Sequence, residues 1–358
     1  MEKIFFTPGP AQLYPTYKKH LDDAMSLQLG SISHRSKQFR IIYQHTSENL
    51  KELLNIPSEN SILFTGSATE IWERILQSCV EKTSFHLVNG SFSKKFYDFS
   101  IELGKNGIKQ EVDLGEGFNY EDIKIPIDAE LVCLTHNETS SGVVTAVDTI
   151  HQLKKEHIDK LFVVDMVSSA PYPKFDYNLI DSAFFSVQKS FGMPAGLGVW
   201  IVNEKCIQKS EEIKNKGHLT GTYHSLISLY KNAKNFETPS TPNVVAIYIL
   251  GKVVEDMLTR GADLIRQETD EKAKYLYKFL NENENISASV KNNAFQSPTV
   301  VVAKVKDATG LLKNLEKQNI IVGSGYGKFK DSQIRIANFP ALNISEVDML
   351  VKSIKNYL

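Results

Sequence analysis

The chain has 358 residues, 42% of them hydrophobic and 23% charged, with 41 Lys+Arg against 42 Asp+Glu. That length asks for two domains, or one large and one small, and the near-balanced charge leaves no global field to draw nucleic acid or an anionic membrane. Three cysteines, Cys79, Cys133 and Cys206, lie in or beside apolar runs and read as reduced thiols rather than a disulfide framework or a zinc site.

From the start, TPGPAQLYP (7–15) is a proline-stiffened extended arm, expected to lie across another surface. The opening MEKIFFTPGPAQLYP is too broken to read as a signal peptide, and no apolar run approaches the roughly 18 residues of a membrane span. A cytoplasmic protein is the expectation. Residues 16–29 are helix-like. SISHRSKQF (31–39) is polar and carries His34-Arg35, and a longer helix is expected over about 36–54, ending at Asn55-Ile56-Pro57. SILFTGSATEIWERILQSCV (61–80) reads as strand, glycine turn and helix. Ser67 is placed as N-cap, Glu70 completes a capping box, and Ile71, Ile75, Leu76 and Cys79 have helical spacing. Such a helix start presents free backbone N–H groups to an anion.

FHLVNG (85–90) is a further strand, with a helix after Ser91-Phe92-Ser93. ELVCLTHNETSSGVV (130–144) is a strand ending in a dense polar cluster, and 145–158 is a helix. Residues 161–203 then read as three apolar strands, LFVVD, SAFFSV and VWIVN, the last two joined through Gln188-Lys189 and the turn FGMPAGLG. Strands alternating with helices over 61–203 argue for an open, largely parallel, doubly wound α/β sheet with helices on both faces. Ligands of such sheets bind at the carboxyl ends of the strands. Gly66-Ser67-Ala68, Phe92, Asn137-Glu138-Thr139, Asp165 and Gln188-Lys189 are all expected at that edge. Past 205 come a proline-bearing polar loop (237–243), helices over about 244–260 and 262–282, and an alternating helix–strand region that carries Arg335 in the strand QIRIANF. The division expected is a large domain over 15–255 and a small α+β domain made of 1–14 and 256–358.

A carboxylate and an amine at the ends of adjacent buried strands suit a cofactor that needs one ionic partner and one covalent amine, as pyridoxal phosphate does. With TPGPA, SHRSKQF, HNETSSG, VVDMVSS, QKSFGMPAGLGV and RIANFPA in order, the chain resembles the class V aminotransferases of the fold-type I pyridoxal-phosphate enzymes. Within them it is most similar to the phosphoserine aminotransferase branch. The resemblance implies that Lys189 holds the cofactor covalently and moves the substrate Cα proton, and that Asp165 pairs with the ring nitrogen. It makes Phe92 the aromatic that covers the ring and sets Thr139 beside the ring oxygen. Ser67, Ala68 and Gln188 serve the phosphate, joined by Thr241 from a neighbouring subunit, so a homodimer with shared sites is implied. Arg335 grips the substrate α-carboxylate, and His34 and Arg35 help bind a distal phosphate. No metal is implied. Where that branch often carries a second His-Arg pair, this chain has Lys328-Phe329-Lys330. The reaction implied interconverts 3-phosphohydroxypyruvate plus glutamate with phosphoserine plus 2-oxoglutarate. The alternative is a class V enzyme acting on alanine or serine with glyoxylate or pyruvate.

Overall fold

The computed structural model describes residues 2–358. In chain order the elements are β1 (Ile4–Phe6), α1 (Tyr17–Ser26), α2 (Lys37–Leu54), β2 (Ser61–Thr65), α3 (Ala68–Cys79), β3 (Thr83–Val88), α4 (Ser91–Glu102), β4 (Asn106–Glu111), β5 (Leu131–Thr135), β6 (Asn137–Glu138), β7 (Val143–Val144), α5 (Val147–Glu156), β8 (Leu161–Asp165), β9 (Ser182–Ser186) and β10 (Gly198–Val202). There follow α6 (Glu204–Asn215), α7 (Leu226–Ala233), α8 (Val244–Arg260), α9 (Ala262–Asn281), β11 (Ile286–Ala288), β12 (Val300–Val305), α10 (Ala308–Lys317), β13 (Ile320–Ser324), β14 (Gln333–Ala337) and α11 (Ile344–Tyr357).

A seven-stranded sheet, order β2-β10-β9-β8-β5-β3-β4, carries the first part of the chain. Strands β4, β3, β5, β8 and β9 pair in parallel, while β10 runs antiparallel to both β9 and β2. Because β10 is flanked by antiparallel partners, β2 points the same way as the parallel strands, and its carboxyl end joins theirs. Apart from the edge strand β4, the strands are buried on both sides, and side chains alternate between two cores. Leu63, Leu131, Cys133, Val163, Phe184 and Trp200 face the core closed by α3, α4, α6 and α7. Ile62, Phe64, Val132, Phe162, Val164 and Phe185 face the core closed by α2, α5 and α8. The sheet is therefore doubly wound, as the alternation of strands and helices predicts.

The helices begin where local chemistry says they should. Ser36 caps α2 by accepting from the Phe39 N–H, and α2 stops at Asn55 in the left-handed region (φ 56°). Ser67 caps α3 through the Glu70 N–H. The capping box expected there is only half formed, because the Glu70 carboxylate takes the N–H of Gly66 instead of that of Ser67 (3.0 Å). Strand β4 and helices α6 and α7 carry no strong periodic signal and have no counterpart in the sequence reading. β4, at the sheet edge, is mostly polar (NGIKQE).

A second sheet, order β1-β13-β14-β12-β11, has its own core with α9, α10 and α11. Its outermost strand is the start of the chain, with β1 parallel to β13. From there the arm over 7–15 crosses to the first sheet. The Ala11 N–H donates to the Gln188 carbonyl (3.0 Å) and the Tyr14 N–H to the Gly192 carbonyl (2.8 Å). Gly192 (φ +57°) lies so close beneath the arm that a Cβ would collide with the Tyr14 backbone. The surface under the arm is thus the Gln188-Lys189 turn.

Candidate active site

The five strand-end clusters meet. The Ala68 N–H, at the first turn of α3, donates to Ser186 Oγ at the end of β9 (2.9 Å). One turn later Trp72 donates its indole N–H to Asp165 Oδ2 (3.0 Å). Glu138 is bonded to the start of α4, and Lys189 Nζ lies 6.0 Å from the Phe92 ring centroid. One pocket edge therefore holds the carboxylate, the amine, the aromatic and the helix start.

Asp165 is 3% exposed and also accepts from the Val167 N–H (2.9 Å). Burial is the main reason that its carboxyl is pushed up to about 7; the two N–H donors pull the other way and only partly offset it. Burial likewise brings Lys189 down to about 8, helped by the positive charge of Arg335. Here Lys189 donates to the carbonyl of Pro8, on the arm. A carboxyl near 7 facing an amine near 8 marks a site that lacks a partner for both charges, the pattern of a functional site.

Phe92 is placed by a device the sequence reading passed over. Glu138, fully buried, accepts from the Ser93 N–H (2.8 Å) and Oγ (2.9 Å) and from the Phe92 N–H (3.1 Å), and on its other side from the Ser140 N–H and Oγ. A carboxylate at this N-terminus satisfies orphan donors and meets the positive end of α4. Gly90 makes the approach possible, since a side chain there would collide with Glu138. The signal was present: an acidic residue inside a polar run right after a buried strand. Trp72 was equally findable, because it sits four residues after Ala68 on the buried face of α3, and a buried indole N–H seeks an acceptor.

The other expected residues divide into two groups. Thr139 is buried, and its hydroxyl bonds nothing among the described residues. Gln188 Oε1 is buried without a partner. Arg335 spends its Nε–H on the Ser324 carbonyl (2.7 Å) and lies with Cζ 5.5 Å from the Tyr326 ring, its Nη groups uncommitted. One backbone N–H of this helix start is not free. The Ala68 N–H expected to face a phosphate is already taken by Ser186 Oγ, and the N–H groups without partners at this helix start are those of Ser67 and Thr69.

Thr241, His34 and Arg35 form a separate cluster that no contact joins to Lys189 or Asp165. Thr241 Oγ1 lies 3.3 Å from His34 Nδ1. Arg35 is held by Glu237, which also binds Arg40, and by Asn232 (3.1 Å). Thr241 lines a cavity of about 170 Å³ with Thr65, Gly66, Gly196 and His224, so this cluster borders the α3 start from outside the Lys189 pocket. Lys328 and Lys330 are exposed, and Lys328 folds over the neighbouring Phe329 ring.

Comparison with known proteins gives the same answer from another side. The family model for aminotransferase class-V matches residues 115–329. The phosphoserine aminotransferase of Rhodococcus opacus (strain B4) is 26% identical over 354 residues, 98% of this chain and 93% of that protein. The crystal structure of a phosphoserine aminotransferase from Cytophaga hutchinsonii superposes with a TM-score of 0.97 at 50% identity, covering 99% of both chains. An alanine–glyoxylate aminotransferase from Nostoc sp. shares the fold (TM-score 0.86, 99% of this chain and 95% of that one) at 19% identity. The family match over residues 115–329 and the 50% identity over 99% of both chains show that the chain belongs to the class V aminotransferases.

Proposed function

We propose that the protein is a pyridoxal-phosphate-dependent transaminase that interconverts 3-phosphohydroxypyruvate plus glutamate with phosphoserine plus 2-oxoglutarate. The observation that carries this reading is the 50% identity over essentially the whole length to a phosphoserine aminotransferase. The likeness to alanine–glyoxylate aminotransferase, at 19%, speaks for the fold alone.

The unsatisfied groups of the pocket fit the cofactor. Asp165 would face the ring nitrogen, Phe92 a ring face and Thr139 the ring oxygen. The free N–H groups of Ser67 and Thr69, with the Gln188 side chain, would hold the phosphate at a helix start. Lys189 would form the covalent link. When bound, pyridoxal phosphate supplies a ring that accepts the electrons left behind by the substrate Cα–H bond. Asp165 keeps the ring end of the pocket negative. The free amine of Lys189 takes the proton from the substrate Cα, and a value near 8 leaves it a usable base at neutral pH. The Nη groups of Arg335 orient the α-carboxylate and so hold that Cα–H toward Nζ. The arm over Lys189 limits access of water.

The boundaries proposed for the two domains are those of the sequence reading, 15–255 for the large one and 1–14 with 256–358 for the small one. Support comes from the two sheets with separate cores and from the seating of β1 in the C-terminal sheet. No described helix is long and apolar enough to cross a membrane, which accords with a cytoplasmic enzyme of serine biosynthesis.

The test compares single-turnover half-reactions with phosphoserine, serine and alanine. Phosphoserine is expected to react at least about a hundredfold more efficiently, the scale at which a charged subsite discriminates; equal rates for serine or alanine would overturn the substrate assignment. A homodimer with shared sites is proposed because Thr241, His34 and Arg35 cluster away from Lys189. Mixing Lys189→Ala with Arg35→Ala under conditions that exchange subunits, at a phosphoserine concentration low enough that neither variant alone turns over, is expected to restore up to about a quarter of wild-type activity. Hybrid dimers then carry one intact composite site. No recovery from fully exchanged hybrids would place Arg35 in its own chain's site.

A further inference from the structure

We infer that Lys95 is a second cation of the substrate site, contacting the distal anionic group of the amino-acid substrate, and that Tyr326 holds it in place. The inference rests on the reading above and names the residue that gives it selectivity. Arg335 has one face of its guanidinium to offer after its bond to Ser324, enough for one carboxylate. A substrate with a distal phosphate or carboxylate needs further positive charge. Beyond His34 and Arg35, which no contact in this chain joins to Lys189, the stretch Lys328-Phe329-Lys330 stands where a second pair would be, yet Lys328 folds over the Phe329 ring and no contact joins either lysine to Phe92 or Arg335.

Lys95 is in place. It lies three residues after Phe92 on α4, so the two share a helix face. Its Nζ donates to the Tyr326 hydroxyl (3.0 Å) and lies 5.7 Å from the centroids of both the Phe92 and Tyr326 rings. Those rings are 5.2 Å apart. Phe92 also has Lys189 Nζ 6.0 Å away, and Tyr326 has the Arg335 guanidinium at 5.5 Å. Two touching rings thus gather three cations along one wall of the pocket. Lys95 forms no ion pair among the described residues, whereas its neighbour Lys94 is paired with Asp98 (2.7 Å). The carboxylates nearest this wall are committed: Glu138 to the start of α4, Asp165 to the floor of the pocket. Lys95 is exposed, so an anion entering the pocket can reach it, and an unpaired ammonium held beside two aromatic faces keeps its attraction for that anion. The hydroxyl of Tyr326 fixes the amine without neutralising it. Tyr326 is therefore a positioning residue, and Lys95 is the one that touches substrate.

The experiment measures kcat/KM for phosphoserine and for serine in wild type, Lys95→Met, Lys95→Arg, Tyr326→Phe and Lys328→Met. Lys95→Met is expected to lower the phosphoserine-to-serine ratio at least about tenfold, chiefly through the KM for phosphoserine. Lys95→Arg is expected to stay within about threefold because the charge is kept, and Tyr326→Phe to fall between. A wild-type preference for phosphoserine that Lys95→Met leaves intact overturns this inference alone, as does a loss confined to Lys328→Met. A wild type indifferent to the phosphate overturns the parent reading and this one with it.

Discussion

Replacement of Lys189 by Ala is expected to lower the rate of transamination by at least about ten-thousandfold, the combined scale of losing a covalent attachment point and a positioned base. The absorbance near ~410 nm of the reconstituted protein should vanish with it. The fold should not suffer. Lys189 is half-buried with its ammonium form disfavoured, and its side chain makes a single hydrogen bond, to the Pro8 carbonyl. Its removal takes a desolvated amine out of the interior. Thermal melting of the cofactor-free variant should therefore be no lower than that of wild type near pH 7. Activity within about a hundredfold of wild type would remove Lys189 from its role.

Asp165→Asn is expected to cost about a hundred- to a thousandfold in rate, since an amide supplies no charge for the ring nitrogen. The same change should stabilise the cofactor-free protein at pH 8, and the sign follows from proton counts. The folded carboxyl titrates near 7 against 3.8 for an ordinary aspartate. Across that window the folded state binds more protons than the unfolded one, so stability falls as pH rises. Lys189 does the reverse: the unfolded state holds the extra proton between about 8 and 10.5, and stability rises there. The cofactor-free wild type should be least stable between about 7 and 8. Asn removes the carboxylate's share, on the order of 1–3 kcal/mol after relaxation of the surroundings. The melting curves of wild type and Asp165→Asn should converge as pH falls towards 4. A variant less stable than wild type at pH 8 would show that Asp165 is paired well enough without the cofactor.

The two outcomes together would describe a pocket whose charges oppose folding and serve chemistry. That trade has a structural basis. Trp72 and the Val167 N–H give Asp165 two bonds, which hold it in place but leave its charge unbalanced. Stronger internal compensation would stabilise the empty protein and weaken the demand for a partner.

Much of this was legible in the amino-acid order, because it depends on local periodicity. Strands read from unbroken apolar runs such as LFVVD and SAFFS, helices from apolar spacing and caps such as Ser67, and the doubly wound sheet from their alternation. The placing of Asp165, Lys189 and Phe92 at one edge followed, since the end of a parallel strand and the turn or helix start after it lie on the ligand edge. What local pattern could not reveal was how the sheet assembled. β4 is polar at the edge, β10 turns antiparallel, and β1 joins a sheet more than 300 residues away in sequence. Nor could it reveal side chains that act through a distant neighbour. Glu138 has meaning only once α4 starts against it, Trp72 only once α3 lies over Asp165, and Tyr326 only once the turn after β13 brings it against Phe92. The bond from the Ala68 N–H to Ser186, 118 positions on, is likewise beyond any local pattern. Sequence order alone determined most of the elements, β4, α6 and α7 excepted, and which strand ends carry the carboxylate and the amine. Tertiary packing alone decided which donors remain free, which cations converge, and how far burial shifts the two central charges, because each depends on contacts between segments distant along the chain.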